Sequence, residues 1–502
     1  MSPAPAITAP AITAPAITAP AITAPAITAP AARMLSVRSR WAFGFGSIAY
    51  GVKDGGFATF LLIFYNQVVG LPASEVGLAI MFALMVEAFV DPAVGFLSDH
   101  TRSKWGRRHP WMYGSAIPVA LGWLMLWNPP TGWSHDALLF YVFISALLVR
   151  MALSAFEIPS SALAPELTSD YDERTKLFSY RYLFGWVGGL AMLSLAYGVF
   201  LVPDAAHPIG LQNGVGYSRM ATVGAIVMAL AILVSAWGLH PEIKYLPKLA
   251  ESNETLGEHF VTFRKTVTNK AFGILMLAGV FAYTGQGMSF ALSNYMYQYV
   301  WQFKPADYLW VSLALLAGAI IAFIIAPRLT RGGDKARVGA LLSLANALLV
   351  VTPYVLRLFE VYPLPGSPWL VPLLMLNSTI NTACGVAAFI LGAAMLADVV
   401  EESETRTGRR SEGVFFAGGF FVQKMVGGLG IYMAGVILAF AQFPVAAKPG
   451  QVPIEVLDRL CLLFIVLMLT FYLLAALVYS RFPFGRAEHQ ARLARMGVDV
   501  AA

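Results

Sequence analysis

Twelve stretches of 20 or so predominantly apolar residues recur along this chain, each long enough to cross the hydrocarbon core of a bilayer as a helix. They fall near residues 41–69, 74–98, 110–128, 136–164, 176–202 and 218–240, then 271–300, 306–326, 338–359, 370–400, 413–442 and 457–480. Composition excludes a soluble fold: 58% of the 502 residues are hydrophobic and only 12% charged, where soluble domains carry about 25%. The expectation is an all-α polytopic membrane protein. The basic excess of +6 then reports topology rather than nucleic-acid binding. Cys384 and Cys461 make no metal spacing, no structural metal is expected, and no catalytic motif for hydrolysis or phosphate binding occurs. The chain does not read as an enzyme, and no cofactor is implied.

Residues 6–30 repeat Ala-Ile-Thr-Ala-Pro. Proline at every fifth position blocks a continuous helix, so residues 1–33 are expected to be a disordered tail and not a signal peptide. Lys and Arg fix the sidedness. Roughly 25 lie at the two ends, in the 241–270 connection and in alternate loops, against about five in the other set of loops. Both termini are therefore expected on the cytoplasmic side. The 241–270 connection divides bundles at 41–240 and 271–480, leaving a cytoplasmic tail at 481–502. Two six-helix halves around a central loop resemble the plan of the major facilitator superfamily, in which substrate binds between the halves.

Ionisable groups inside a membrane span are costly and are functional candidates by default. Here they are Lys53 and Asp54 in the first span, Glu87 and Asp91 in the second, Arg150 and Glu157 in the fourth, Arg181 in the fifth and Lys424 in the eleventh. Four residues apart, Glu87 and Asp91 share one helix face. Two carboxylates so close need a proton, a small hard cation or a basic partner between them. Ser154 and Glu157 could add a hydroxyl and a third acid; alternatively, these acids only hold Lys53, Arg150 or Arg181. Adjacent on their helix, Lys53 and Asp54 point different ways. Lys424 is the single intramembrane charge of the second half and needs a partner across the interface.

The string Asp91-Pro-Ala-Val-Gly-Phe-Leu-Ser-Asp-His-Thr-Arg-Ser-Lys-Trp-Gly-Arg-Arg-His-Pro-Trp111 resembles the second span and loop of the glycoside-pentoside-hexuronide:cation symporters. Glu157-Ile-Pro, the Ala-Pro-Glu-Leu-Thr-Ser-Asp-Tyr-Asp-Glu-Arg174 stretch, Ser-Tyr-Arg181, Ala397-Asp398-Val-Val and Gln-Lys424 agree with later parts of that family. The resemblance implies cation-coupled symport of a sugar or glycoside by a monomer in a bacterial inner membrane, with sodium or a proton as coupling ion. It implies a cation site at Glu87, Asp91, Ser154 and Glu157, and substrate contacts at Asp54, Glu157, Arg181 and Lys424. Two family aspartates are glutamates here, and Ser161 stands where a sugar-stacking tryptophan is found in the melibiose permease. A relative of the same architecture carries lysophospholipid, which is the alternative. The phenylalanines 415, 416, 420 and 421 around Lys424 read as packing. Charges at Asp99, Arg102, Arg107, Arg108, Asp170, Arg174, Arg409 and Arg410 are expected to pair across the halves as a cytoplasmic gate.

Overall fold

The computed structural model describes residues 34–168, 170–246, 269–330, 334–407 and 412–483. The repeat tail, most of the central connection, Arg409, Arg410 and the last residues lie outside the described part. Among the described residues the chain is helical throughout, with no strand. We number the helices α1 (residues 37–68), α2 (Ala73–His100), α3 (His109–Trp127), α4 (His135–Leu167), α5 (Tyr171–Leu195), α6 (Gly214–Leu239), α7 (Lys270–Tyr295), α8 (Asp307–Thr330), α9 (Lys335–Leu358), α10 (Leu370–Thr407), α11 (Glu412–Phe440) and α12 (Ile454–Tyr479). Among the described residues ten helical runs are long and apolar enough to span a membrane. The other two are α1, broken by wide turns, and α3, whose Gly, Pro, Tyr and Trp residues dilute its apolar content.

Helices α1 to α6 pack mainly on one another, as do α7 to α12. The broadest contact between the two sets is α2 against α11; α1 meets α7, and α5 meets α8. Glycine makes these approaches possible, because without a water-driven force helices in lipid associate through close backbone packing. A Cβ on Gly435 of α11 would lie 2.3 Å from the Ala73 carbonyl oxygen of α2, and one on Gly51 of α1 would lie 2.0 Å from the Gly185 carbonyl oxygen of α5. Gly51→Leu must therefore push α1 off α5. We expect a loss of about 3 kcal/mol, the upper end of overpacking, read as a lower midpoint of thermal unfolding for the purified chain. An unchanged midpoint would refute this contact.

Among the described residues three helices finish in a π-helical turn, each closed by a backbone bond between residues five apart. Val69 N donates to Phe64 O at 3.1 Å, Leu201 N to Ala196 O at 2.7 Å, and Trp301 N to Met296 O at 2.9 Å. Such π-turns rotate the side chains beyond them relative to a regular helix and occur often at functional places. All three lie on the face away from the basic loops, at the ends of α1, α5 and α7.

Candidate functional site

The intramembrane charges converge where α2, α4 and α11 meet. Glu87 is buried on α2 and forms an ion pair with Arg150 Nε of α4 through its Oε2. Its Oε1 accepts from Lys424 Nζ of α11 at 3.1 Å and from Ser154 Oγ of α4 at 3.3 Å. One turn further along α2, Asp91 Oδ2 accepts from the same ammonium at 2.6 Å. Asp91 Oδ1 is buried and accepts no hydrogen bond. Lys424 thus ties both acids of the first half to the second. The spacing that put the two carboxylates on one face is realised, and their counter-charges are a guanidinium and an ammonium.

Arg150 is held from a second side, with its guanidinium 4.9 Å from the centre of the Phe57 ring on α1. Beside it, the two charges of α1 separate. The Lys53 side chain is 2% exposed and that of Asp54 57%, although Lys53 Nζ curls back to within 3.6 Å of Asp54 Oδ1. The Lys53 ammonium also sits over the Tyr50 ring at 4.5 Å. An acid open at mid-span faces the space between helices, since a charge turned to hydrocarbon would be far costlier. On α4, Glu157 lies 3.6 Å from Arg181 Nη2 of α5. Arg181 also donates to Ser160 Oγ at 3.0 Å and to the Glu157 carbonyl at 3.3 Å. The Ser161 hydroxyl is spent on its own helix, donating to the Glu157 carbonyl at 2.8 Å.

Phe421 of α11 meets Phe89 of α2 edge-on at 5.4 Å, and Phe415 meets Phe272 of α7 at 5.3 Å, both as packing. Phe420 is exposed.

Of the loop charges expected to form a gate, Asp99, Arg107, Arg108, Asp170 and Arg174 bind within the first half in this structure. Asp99 pairs with Arg108 and lies 3.5 Å from Arg107. Both arginines reach Glu166 near the end of α4, at 2.6 and 3.1 Å. Asp170 caps α5 by accepting from Glu173 N at 2.8 Å, and Arg174 donates to the Thr168 carbonyl at 2.9 Å. Arg102 lies in the same loop as Arg107 and Arg108.

On the face away from the basic loops, neutral groups join the halves. Tyr295 Oη donates to Asn66 Oδ1 at 2.8 Å and Tyr299 Oη to Gln67 Oε1 at 3.1 Å. Gln67 Oε1 also accepts from Ala447 N at 2.8 Å, and Gln67 Nε2 donates to the Pro444 carbonyl at 3.2 Å. Asn294 Nδ2 donates to the Thr59 carbonyl at 2.9 Å, and Asn294 Oδ1 accepts from Tyr197 Oη at 2.7 Å. Gln212 Nε2 donates to the Ala447 carbonyl at 2.6 Å. An inventory of charges alone passes over this latch. The signal for it was Asn66-Gln67 and the run Tyr295-Met-Tyr-Gln-Tyr299, polar groups placed inside apolar spans.

Helices that bury opposite charges at mid-span, between two bundles bolted together on one face, define a multi-pass membrane transporter. The chain belongs to the MFS/sugar transport protein family, whose model matches residues 42–486. It is 27% identical to an uncharacterized symporter of Synechocystis sp., with 91% of this chain and 96% of that one covered. It is 24% identical to an inner membrane symporter of Escherichia coli (90% and 92% covered) and 24% identical to an isoprimeverose transporter of Lactiplantibacillus pentosus (81% of each). Among solved structures, a nucleoside transporter superposes with a TM-score of 0.60 at 13% identity, over 89% of this chain and 100% of that one, a likeness of fold.

Proposed function

We propose that the protein is a cation-coupled symporter of a sugar or glycoside, working by alternating access in a bacterial inner membrane with both termini cytoplasmic. The observation that carries this reading is the Lys424 bridge, one ammonium of the second half shared by both α2 acids of the first. A monovalent cation arriving at Glu87, Asp91, Ser154 and Glu157 competes with that ammonium and frees it. Substrate then docks between Asp54, Glu157, Arg181 and Lys424. Carboxylates accept from sugar hydroxyls while the guanidinium and ammonium donate to them, and charge-assisted bonds of this kind are the stronger ones.

The hydrogen bonds across the halves on the face away from the basic loops fit a carrier closed to the outside. The Asp99, Arg102, Arg107, Arg108, Asp170 and Arg174 region, with Arg409 and Arg410, is then the surface that meets when the carrier closes inside. The isoprimeverose transporter among the relatives favours a pentose-containing glycoside as the first substrate class to try.

The test is counterflow in proteoliposomes preloaded with isoprimeverose, xylose or a hexuronide. Saturable uptake of the labelled sugar against its own preload is expected for at least one. Exchange of lysophospholipid with no sugar exchange would move the reading to the amphiphile alternative, and no exchange of any solute would end it.

A further inference from the structure

Helix α5 shows two open faces, and they differ along its length. Leu183, Val187, Ala191 and Leu195, four residues apart, are exposed all the way from the inner to the outer part of the helix. An apolar face left bare over a whole span is turned to lipid. The second face carries Tyr182, Trp186, Leu190, Leu193 and Tyr197, at the three- and four-residue spacing of one helix side. Its exposure falls steadily outward: Tyr182 is 59% exposed and Trp186 37%, Leu190 is half-buried, and Leu193 and Tyr197 are buried. At the buried end Tyr197 meets the second half, donating to Asn294 Oδ1 at 2.7 Å with its ring 4.9 Å from that of Tyr308. This stripe therefore looks toward the second half, shut against it on the outer side and parted from it further in. Tyr182 and Trp186 open into the space between the halves, not into lipid.

Depth then singles out Trp186. It lies midway between Tyr171 and Phe200, far from the belts of tryptophan and tyrosine that mark the membrane surfaces. There α5 touches α1: a Cβ on Gly51 would lie 2.0 Å from the Gly185 carbonyl oxygen, and one on Gly55 3.6 Å from that of Gly189. Between those two contacts stand the open acid Asp54 on α1 and Trp186 on α5. Arg181 follows five residues down α5, about 7.5 Å along the axis. Trp41 and Trp127 are packed against other rings. Among the described residues the Trp186 indole meets no other ring and its N–H has no acceptor.

We infer that Trp186 is a specificity-determining residue, the apolar floor on which the C–H face of a pyranose ring lies while Asp54 and Arg181 take its hydroxyls; this rests on the symport reading above. Small-molecule sites pair an apolar or aromatic wall with a few placed polar groups. The charged groups proposed to hold the substrate supply only the polar part. A cyclic sugar has a hydroxyl edge for those charges and a flat C–H face that water solvates poorly, and a free indole face at the same depth suits the latter. An open-chain polyol offers the same hydroxyls without the flat face, so the ring selects for cyclic sugars.

The experiment measures initial rates of counterflow in proteoliposomes over a range of xylose and isoprimeverose concentrations, for the wild type, Trp186→Phe and Trp186→Leu. Trp186→Leu should raise KM about tenfold, the upper end of what an aromatic contact is worth, and leave the maximal rate within about twofold, the pattern of lost binding. Trp186→Phe keeps a ring and should stay within about threefold of the wild-type KM. Leucine would serve as a plain apolar wall or against an acyl chain as well as an indole does, so a wild-type KM in Trp186→Leu would overturn the inference. A lower maximal rate at unchanged KM, or a phenylalanine variant as impaired as the leucine one, would assign Trp186 to packing and overturn it too.

Xylitol, the open-chain counterpart of xylose, is the second probe. As a competitor it should inhibit the wild type and Trp186→Leu to the same extent, and a loss of its inhibition parallel to the loss for xylose would overturn the selection for a ring. No exchange of any sugar by the wild type would end the symport reading and this inference with it. Wild-type exchange that is blind to Trp186 would end this inference alone.

Discussion

Lys424→Met should slow substrate counterflow by about a hundredfold or more. The ammonium is the only contact among those described that joins both acids of α2 to the second half. Removing it leaves Asp91 with no basic partner and Glu87 with Arg150 alone. Breaking one side of a buried pair costs about 3–5 kcal/mol, and the lower figure already corresponds to a factor above a hundred. Lys424→Arg keeps the charge on a longer, planar group and should retain part of the rate, which separates loss of charge from loss of fit. Initial rates in proteoliposomes at matched protein density decide the matter. Wild-type rates in Lys424→Met would show that the bridge has no part in transport.

The second large effect is expected on the opposite face. Gln67 serves Tyr299, Ala447 and Pro444 of the second half, and donates to its neighbour Asn66 at 2.6 Å. Gln67→Ala leaves the Ala447 N–H without its acceptor, while the Tyr299 hydroxyl keeps the Ala447 carbonyl at 3.2 Å. Each unsatisfied buried group costs about 1–3 kcal/mol, and only while the face is shut, so the population should move at least about tenfold toward opening there. A single cysteine placed at Thr59, behind the latch, in a chain whose Cys384 and Cys461 have been replaced by alanine, reports this. Its labelling by a membrane-impermeant maleimide should speed up in Gln67→Ala by the same factor. Unchanged labelling would mean that the latch does not govern opening.

Much of this architecture is legible in the sequence because lipid leaves so few choices. A span must be helical and apolar for its full length, so helix number and approximate limits follow from hydropathy. Each buried charge stands out against an uncharged background, which is why Glu87, Asp91, Arg150 and Lys424 could be named before their contacts were known. Which base serves which acid is another matter. That Arg150 takes Glu87 while Arg181 takes Glu157 depends on how α4 is rotated against α2 and α5, and nothing in the linear order of α4 sets that rotation. The latch was missed for a different physical reason. Amides and phenols are neutral and sit comfortably in apolar stretches by composition, and the π-turns that aim Gln67 and Tyr299 at one another leave no mark in residue spacing. In this conformation Asp99, Arg107 and Arg108 meet Glu166 of the first half, a partner that the linear order of the chain does not single out.

The eight ionisable side chains of the bundle carry a further consequence when their signs are added. Lys53, Arg150, Arg181 and Lys424 balance Asp54, Glu87, Asp91 and Glu157, so the unloaded core is electrically neutral. A neutral core that rocks from one side to the other does no work against the membrane potential, and its return stroke is blind to voltage. Loaded with one extra monovalent cation and an uncharged solute, the same core moves a whole charge, worth about 2.3 kcal/mol for each 100 mV. The cell's electrical gradient would therefore act on only one half of the cycle, pulling the filled carrier inward and letting the empty one drift back.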